Sequence, residues 1–514
     1  AYLKAARRSL WGPLIEKAAA KLHGSYEALS GGTFAEAFSM LSGYPVQRIL
    51  LFRYREPPAP PAEAGEGAAA SHEAALARWR EKRLDTDELF AQLYSFRESG
   101  FVMGGSTYEL ARSAKEKASI ESARAQGLQV PHAYCVMGVA TVGDENEQIV
   151  KLRNPNGHAG WRGRWGAAHA CWTYELKQEL KTEQEDKGVF WMAWSDFCDF
   201  FGEVTVCRML PQMMEGRESG WLPSCFNAGQ MLTLEAFART QVELTLHQEP
   251  HRNRGVEGMG TFVDIGLALL KEELDGTYSL VAHAERSVAA QVQISASLEQ
   301  DAHSSRYLLL PLCFGHMLSS EPRKFRVSVH SSQPLMLDKQ PLPPALMGTA
   351  MIQIARQHGE ASAPIKHPAF GEMLKLYTLE EEAGYAIVAE NSSPYPMRVE
   401  VDASARTSGY LSSRGLLISN DVLPPRTSQL LIALASDMKS KTHSLSLQFD
   451  FGAMEHGAEG HIPALSDLGA LEGLHTPQPI AGSPAMAAAA ATLPAPPSSG
   501  DVASLASMIW NGRS

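Results

Sequence analysis

Apolar positions in the first two hundred residues change period several times. Trp11, Leu14, Ile15, Ala18 and Leu22 recur at helical spacing and Gly24 follows as a stop, which predicts a helix. Thr33-Phe-Ala-Glu36 has the form of a capping box, with the Thr hydroxyl covering an orphan N–H at a helix start. A third helix is expected from Thr86, carrying Leu89, Phe90, Leu93 and Phe96 on one face and ending at Gly100. From Phe101 the pattern turns to strands. These are Phe101–Gly105 closing in a glycine loop, Ala133–Val142, Gln148–Arg153 and Val189–Trp194, the last followed by a helical stretch at Ser195–Phe201.

Beyond Met209 alternation with period two dominates, as in Gln241–His247, Lys324–His330 and part of Arg306–Leu312. Short strands between polar loops predict a β-sandwich. A helical break at Pro344–His358 separates this block from a second one holding Tyr385–Ala389, Met397–Val401 and Gln429–Leu434. Two stretches bury little by composition: a Pro, Ala, Gly and Glu insertion at Glu56–Arg83, and a Gly, Ala, Pro and Ser tail from about Gly457, expected to be disordered. The fold class expected is α+β followed by two antiparallel β-sandwiches. The expected divisions are 1–208, 209–335, 336–455 and a tail at 456–514, in keeping with about 150 residues per domain for a chain of 514.

Charge narrows the partners. Lys plus Arg number 46 and Asp plus Glu 57, so the net charge is 46 − 57 = −11, which argues against a nucleic-acid-binding protein. No run of eighteen apolar residues predicts a membrane span. The six cysteines, Cys135, Cys171, Cys198, Cys207, Cys225 and Cys313, form no C-x-x-C pair, which excludes a disulfide scaffold and zinc-finger or thioredoxin-like chemistry. Lone cysteines point to a reducing compartment, and a cytoplasmic location is expected.

Candidate chemistry sits at the ends of two predicted strands. If the chain turns at Gly143-Asp144, residues whose numbers sum to about 287 face each other; His132 and Asn154 sum to 286. They are expected side by side, about 5 Å apart across a ladder. An Asn carbonyl that accepts from one ring N–H fixes the tautomer of the His, and the other ring nitrogen can deprotonate a thiol and later protonate a leaving amine. A strand-end His and a turn-forming Asn-Pro fit the same residues.

Gly127-Leu-Gln-Val-Pro-His-Ala-Tyr134, Lys151-Leu-Arg-Asn-Pro-Asn-Gly157 and Trp161-Arg-Gly-Arg-Trp165 resemble the calpain cysteine proteases. So do Trp11-Gly-Pro-Leu-Ile-Glu-Lys-Ala18, Lys21-Leu-His-Gly-Ser-Tyr-Glu-Ala-Leu29 and Gly188-Val-Phe-Trp-Met192. The resemblance implies that 1–208 is the second subdomain of a papain-like calpain catalytic core, with His132 as general base and Asn154 as its orienting partner. Val242–Gln248, Arg306–Leu312 and Val327–Ser332 are similar to the calpain-type β-sandwich. Ala383–Asn391, Ser413-Arg-Gly415 and Asp421–Pro425 resemble the C-terminal domain of the small-optic-lobes, calpain-15-like branch. Protein substrates follow from the resemblance.

The sequence also departs from the family. The family's nucleophilic Cys and oxyanion Gln precede the Trp11 segment, and no Cys here occurs before Cys135. The chain is therefore expected to be a fragment that is inactive alone and completed by an upstream half of the core. Asn156 stands where the family has a Trp that shields the His–Asn bond. Calcium enters by resemblance, but the places expected to hold its carboxylates are Gly160, Ala167, Lys187 and Val189. Glu183, Glu185 and Asp186 read as a solvated charge run, so no formed metal site and no other cofactor is expected. Two alternatives stand beside the endopeptidase: a non-catalytic homologue acting as a protein-binding scaffold through its β-sandwiches, and a pure β-sandwich adaptor.

Overall fold

The computed structural model describes residues 10–51, 85–108, 114–143, 145–157, 160–182, 187–248, 262–300, 305–317, 319, 322–367, 371–404, 407–437, 440, 443–453, 473–480 and 508–511. The expected insertion at Glu56–Arg83 and the charge run Glu183, Glu185 and Asp186 lie outside the described residues. The chain forms two compact units, Ala1–Pro211 and Gln212–Ser514.

The first unit is α+β. Its elements in order are α1 (Trp11–His23), α2 (Phe34–Ser42), β1 (Val46–Leu50), α3 (Thr86–Glu98), β2 (Val102–Thr107), α4 (Ala114–Ala125), β3 (Ala133–Val142), β4 (Glu147–Arg153), α5 (Tyr174–Glu179), β5 (Val189–Ala193), α6 (Trp194–Phe200) and β6 (Phe201–Cys207). The strands make one antiparallel sheet in the order β1-β6-β2-β3-β4-β5. Thr33 caps α2 by accepting from the Glu36 N–H at 3.2 Å. Asp85 caps α3, accepting from the N–H groups of Asp87 and Glu88, and Leu89, Phe90 and Leu93 of that helix are buried in the core with Val136, Val139 and Leu152 of the hairpin.

Two expectations are corrected in this unit. Gly104 and Gly105 do not form a loop but lie inside β2. A Cβ on Gly104 would fall 2.4 Å from the Phe34 ring and one on Gly105 3.0 Å from Phe201, so bare backbone lets aromatic rings lie against the strand. The apolar stripe of α1 forms at the expected place but faces outward. Trp11 is 71% exposed, Leu14 61%, Ile15 43% and Leu22 73%, while Ala19 and Ala20 are buried.

The second unit holds two β-sandwiches. The first comprises β7 (Met214–Trp221), β8 (Gln230–Ala236), β9 (Thr240–Gln248), β10 (Ile265–Glu272), β11 (Tyr278–Ser287), β12 (Gln291–Leu298), β13 (Arg306–Leu312), β14 (Lys324–Ser331) and β15 (Leu335–Pro341). Sheets β11-β10-β13-β8-β15 and β12-β9-β14-β7 enclose one core of leucines and valines. β15 pairs with β8, so this sandwich runs past residue 335 to Pro341, correcting the expected boundary. Helix α7 (Pro344–His358) follows.

The second sandwich comprises β16 (Glu360–Ala361), β17 (Ile365–His367), β18 (Gly371–Glu381), β19 (Gly384–Asn391), β20 (Met397–Asp402), β21 (Tyr410–Ser412), β22 (Ile418–Leu423), β23 (Thr427–Ser436), β24 (Ser446–Ala453), β25 (Gln478–Pro479) and β26 (Met508–Asn511). Its sheets, β16-β18-β19-β23-β21 and β22-β20-β24-β26, enclose a second core. The last two strands carry a further correction: parts of the expected disordered tail are strands paired to this domain.

Helix α7 does not simply divide the two sandwiches. Met347, Ala350, Met351, Ile354 and Ala355 pack with Leu308 and Leu310 of one and Val388 and Ala433 of the other, making a third core. Beside it Arg286, fully buried, donates to Glu381 and pairs with Asp264 at 3.3 Å. Paired burial of this kind is costly to break because it strands an uncompensated charge.

Candidate active site

The β3–β4 hairpin positions the two residues singled out from the sequence. Val142 pairs with Glu147, so the chain turns through residues 143–146; Asp144 lies outside the described residues. Near the turn paired numbers sum to 289, and past a bulge between Val136 and Gly138 they sum to 288, as at Cys135 and Arg153. His132 stands one residue before β3 and Asn154 one residue after β4. They are therefore diagonal neighbours, not directly opposed. Their side chains meet all the same: His132 Nε2 lies 2.9 Å from Asn154 Oδ1.

Asn154 is 3% exposed. Its backbone is held from both sides, its N–H donating to Gly188 O at 2.9 Å and its carbonyl accepting from Gly157 N–H at 3.0 Å. Gly188 has φ +90°, and a Cβ there would lie 2.8 Å from the Asn154 carbonyl oxygen, so glycine is required by both conformation and space. The Asn156 backbone N–H donates to Asn154 Oδ1 at 2.9 Å. A backbone N–H can only donate, so that side-chain atom is the oxygen and can only accept. His132 Nε2 must then be the donor, and in the neutral imidazole Nδ1 keeps its lone pair.

Three residues not singled out from the sequence complete the arrangement. Thr107, at the end of β2, clamps the His132 backbone: its Oγ1 accepts from His132 N–H at 2.8 Å and its own N–H donates to His132 O at 3.0 Å. Tyr134 places its ring edge-on to the imidazole, with centroids 5.0 Å apart. Burial pushes the Tyr134 phenol up, and its hydroxyl accepts from the Gln129 N–H at 2.8 Å. The Gln129 side-chain oxygen in turn accepts from Asn154 Nδ2 at 3.4 Å and Asn156 Nδ2 at 3.1 Å. Gln129 and Tyr134 fall within the motif around His132, so only their roles were hidden. The clamp by Thr107 depends on which strand neighbours β3.

Asn156 does not shield the pair as an indole would; it is exposed and continues the polar network to Gln129. Trp161 and Trp165 offer no substitute, because Trp161 packs edge-on to Phe200 and Trp165 to Trp172. The calcium positions do not fit the ion. Gly160, Ala167, Lys187 and Val189 bring no carboxylate, and Glu147 is engaged by Arg164 and by Trp165 Nε1. Among the described residues no three His, Cys, Asp or Glu side chains gather to hold a metal.

Among the thiols of this unit, Cys198 is buried and Cys171 Sγ meets His169 Nδ1 at 3.0 Å. Burial pushes Cys135, Cys171 and Cys207 up, which favours the neutral thiol. Cys135 lies next to Tyr134 on β3 and so points to the opposite face of the strand. Among the described residues no helix is long and apolar enough to cross a membrane.

Comparison with known proteins matches two segments. Residues 1–208 match the profile described as calpain family cysteine protease, and residues 354–456 that described as calpain-D-like, C-terminal domain. The chain is 32% identical over 213 residues to calpain-type cysteine protease DEK1 of Arabidopsis thaliana, covering 41% of this chain and 8% of that protein. It is 26% identical over 381 residues to calpain-5 of Mus musculus, covering 65% of this chain and 55% of the relative. It is 29% identical over 209 residues to the calpain-2 catalytic subunit of Gallus gallus, covering 40% of this chain and 25% of that subunit. The chain thus spans less than two thirds of each of these relatives.

Proposed function

Residues 1–208 belong to the calpain family of cysteine proteases and residues 354–456 to the calpain-D-like C-terminal domains, and from that premise we propose that His132 and Asn154 are the proton-transfer half of a calpain-type endopeptidase site. The observation that carries this reading is the 2.9 Å bond from His132 Nε2 to an Asn154 oxygen whose identity the Asn156 N–H fixes. With Nε2–H held, Nδ1 is the basic atom. It takes the proton of a cysteine thiol, and the thiolate attacks the carbonyl carbon of a protein substrate. The imidazolium then returns the proton to the leaving amine nitrogen. In deacylation Nδ1 takes a proton from water, whose oxygen attacks the thioester, and returns it to the departing sulfur.

On this reading the thiol lies on other polypeptide, since no Cys precedes Cys135 in the sequence, and burial pushes Cys135, Cys171 and Cys207 of the first unit up. The outward apolar stripe of α1 supports this: Trp11, Leu14, Ile15 and Leu22 offer that polypeptide a surface to cover. Protein substrates and a reducing, cytoplasmic setting belong to the same proposal.

The test joins this chain to the upstream half-core of a calpain bearing the nucleophilic Cys and follows casein cleavage. His132→Ala should lower kcat/KM by about 10²–10⁴-fold with thermal stability unchanged. Cleavage that survives His132→Ala, or an intact joined protein that cleaves nothing, would favour the scaffold reading instead.

A further inference from the structure

Residues 473–480 are joined to β24 through the nineteen residues 454–472. They lie in a groove between α7 and the start of β23. Leu474 is 1% exposed and inserts into the core that α7 forms with β23. His475 Nδ1 donates to the Leu430 carbonyl at 2.7 Å. Gln478 and Pro479 pair with Ser428 and Thr427 in antiparallel register, and the Ile480 N–H reaches Arg426 O at 3.0 Å.

The groove is shaped for this backbone. A Cβ on Gly348 of α7 would stand 2.3 Å from the Leu474 carbonyl oxygen, so a bare helix face is what admits the segment. β23 has its neighbour β19 on one edge; on the other, β21 pairs only with Leu434–Ser436, leaving the Thr427 end free for β25. Addition of an extended segment to a sheet edge, with one side chain in a pocket, is a general mode of peptide recognition.

We propose that the α7–β23 groove is a peptide-docking site whose occupant is this chain's own Gly473–Ile480, held in cis and able to leave without unfolding the domain. The hold consists of one buried leucine, one imidazole bond, a two-residue ladder and a few backbone bonds. The sheets of the second sandwich are complete without it, since β16 to β24 pair among themselves.

The groove is also sensitive to acid. His475 is half-buried, and desolvation and the nearby Arg414 guanidinium press it down to about 3 against the opposing pull of the Leu430 and Ser413 backbone. Arg414 is itself tied to Asp421. A released segment takes up a proton below about 6.5 that the docked one resists, so docking weakens as the pH falls from there.

The test uses a labelled peptide of residues 473–480 and fluorescence polarisation. The full chain, whose groove is filled, should bind it weakly. The full chain with Leu474→Asp should bind it saturably and more tightly, and adding Gly348→Ala should remove that binding. A Leu474→Asp chain that is folded by near-UV circular dichroism yet binds no peptide would overturn the proposal, and so would binding that survives Gly348→Ala. As a second measurement, protease sites placed within 454–472 and within 481–507 cut the segment free of both β24 and β26 in an otherwise unaltered groove. Its loss on dilution with the sandwich intact supports the proposal; loss of the whole fold, or permanent retention at neutral pH, contradicts it.

Discussion

Helices α1 and α3 are both thirteen residues long and both carry an apolar stripe, yet they end up in opposite situations. In α3 the stripe is buried against the hairpin that holds His132 and Asn154. In α1 it faces solvent. Periodicity specifies an apolar face but not what covers it. The second unit sharpens the contrast, because there the apolar outer faces of two sandwiches are closed by α7. On the proposed function, the bare face of α1 is the side of the protease core that the thiol-bearing polypeptide covers.

Four substitutions test this contrast, taken from the largest expected effect downward. Arg286→Ala leaves the buried carboxylates of Asp264 and Glu381 without their cation and should cost about 3–5 kcal/mol of stability in urea titration. A cost no larger than a surface pair's would mean this seam between the sandwiches is not a closed one. Leu93→Ala in α3 removes a fully buried side chain and should cost about 3 kcal/mol. Gly104→Ala drives a methyl group towards the Phe34 ring and should cost about 1–3 kcal/mol, read as a lowered Tm. Leu14→Ala in α1 should change the stability of the chain alone by less than about 0.5 kcal/mol. If Leu14→Ala costs as much as Leu93→Ala, this chain already covers α1 and the contrast fails.

Much of the site is legible in the sequence. Turn chemistry and alternation bring His132 and Asn154 together, and the strand, helix and sandwich assignments follow the same periods. The register departs by two near the turn because the chain turns through residues 143–146 and not at Gly143-Asp144, and the bulge between Val136 and Gly138 brings the departure down to one. Thr107 is out of reach because it acts across a sheet whose strand order, β1-β6-β2-β3-β4-β5, is not the chain order. Leu474 and His475 are hidden in a segment whose composition predicts disorder; what admits the Leu474 backbone is a glycine in a helix far off in sequence. The outward turn of α1 is illegible because an amphipathic pattern is the same whether its partner is present or not.

The central claim is that Asn154 holds His132 with Nε2 protonated and Nδ1 free. Long-range ¹H–¹⁵N correlation on the chain labelled at histidine, at pH 8, reads this directly, with the His132 signal assigned by its loss in His132→Ala. The expected result is an Nε2–H tautomer for His132 whose signals shift in Asn154→Ala. An Nδ1–H tautomer, or signals indifferent to Asn154→Ala, would contradict it.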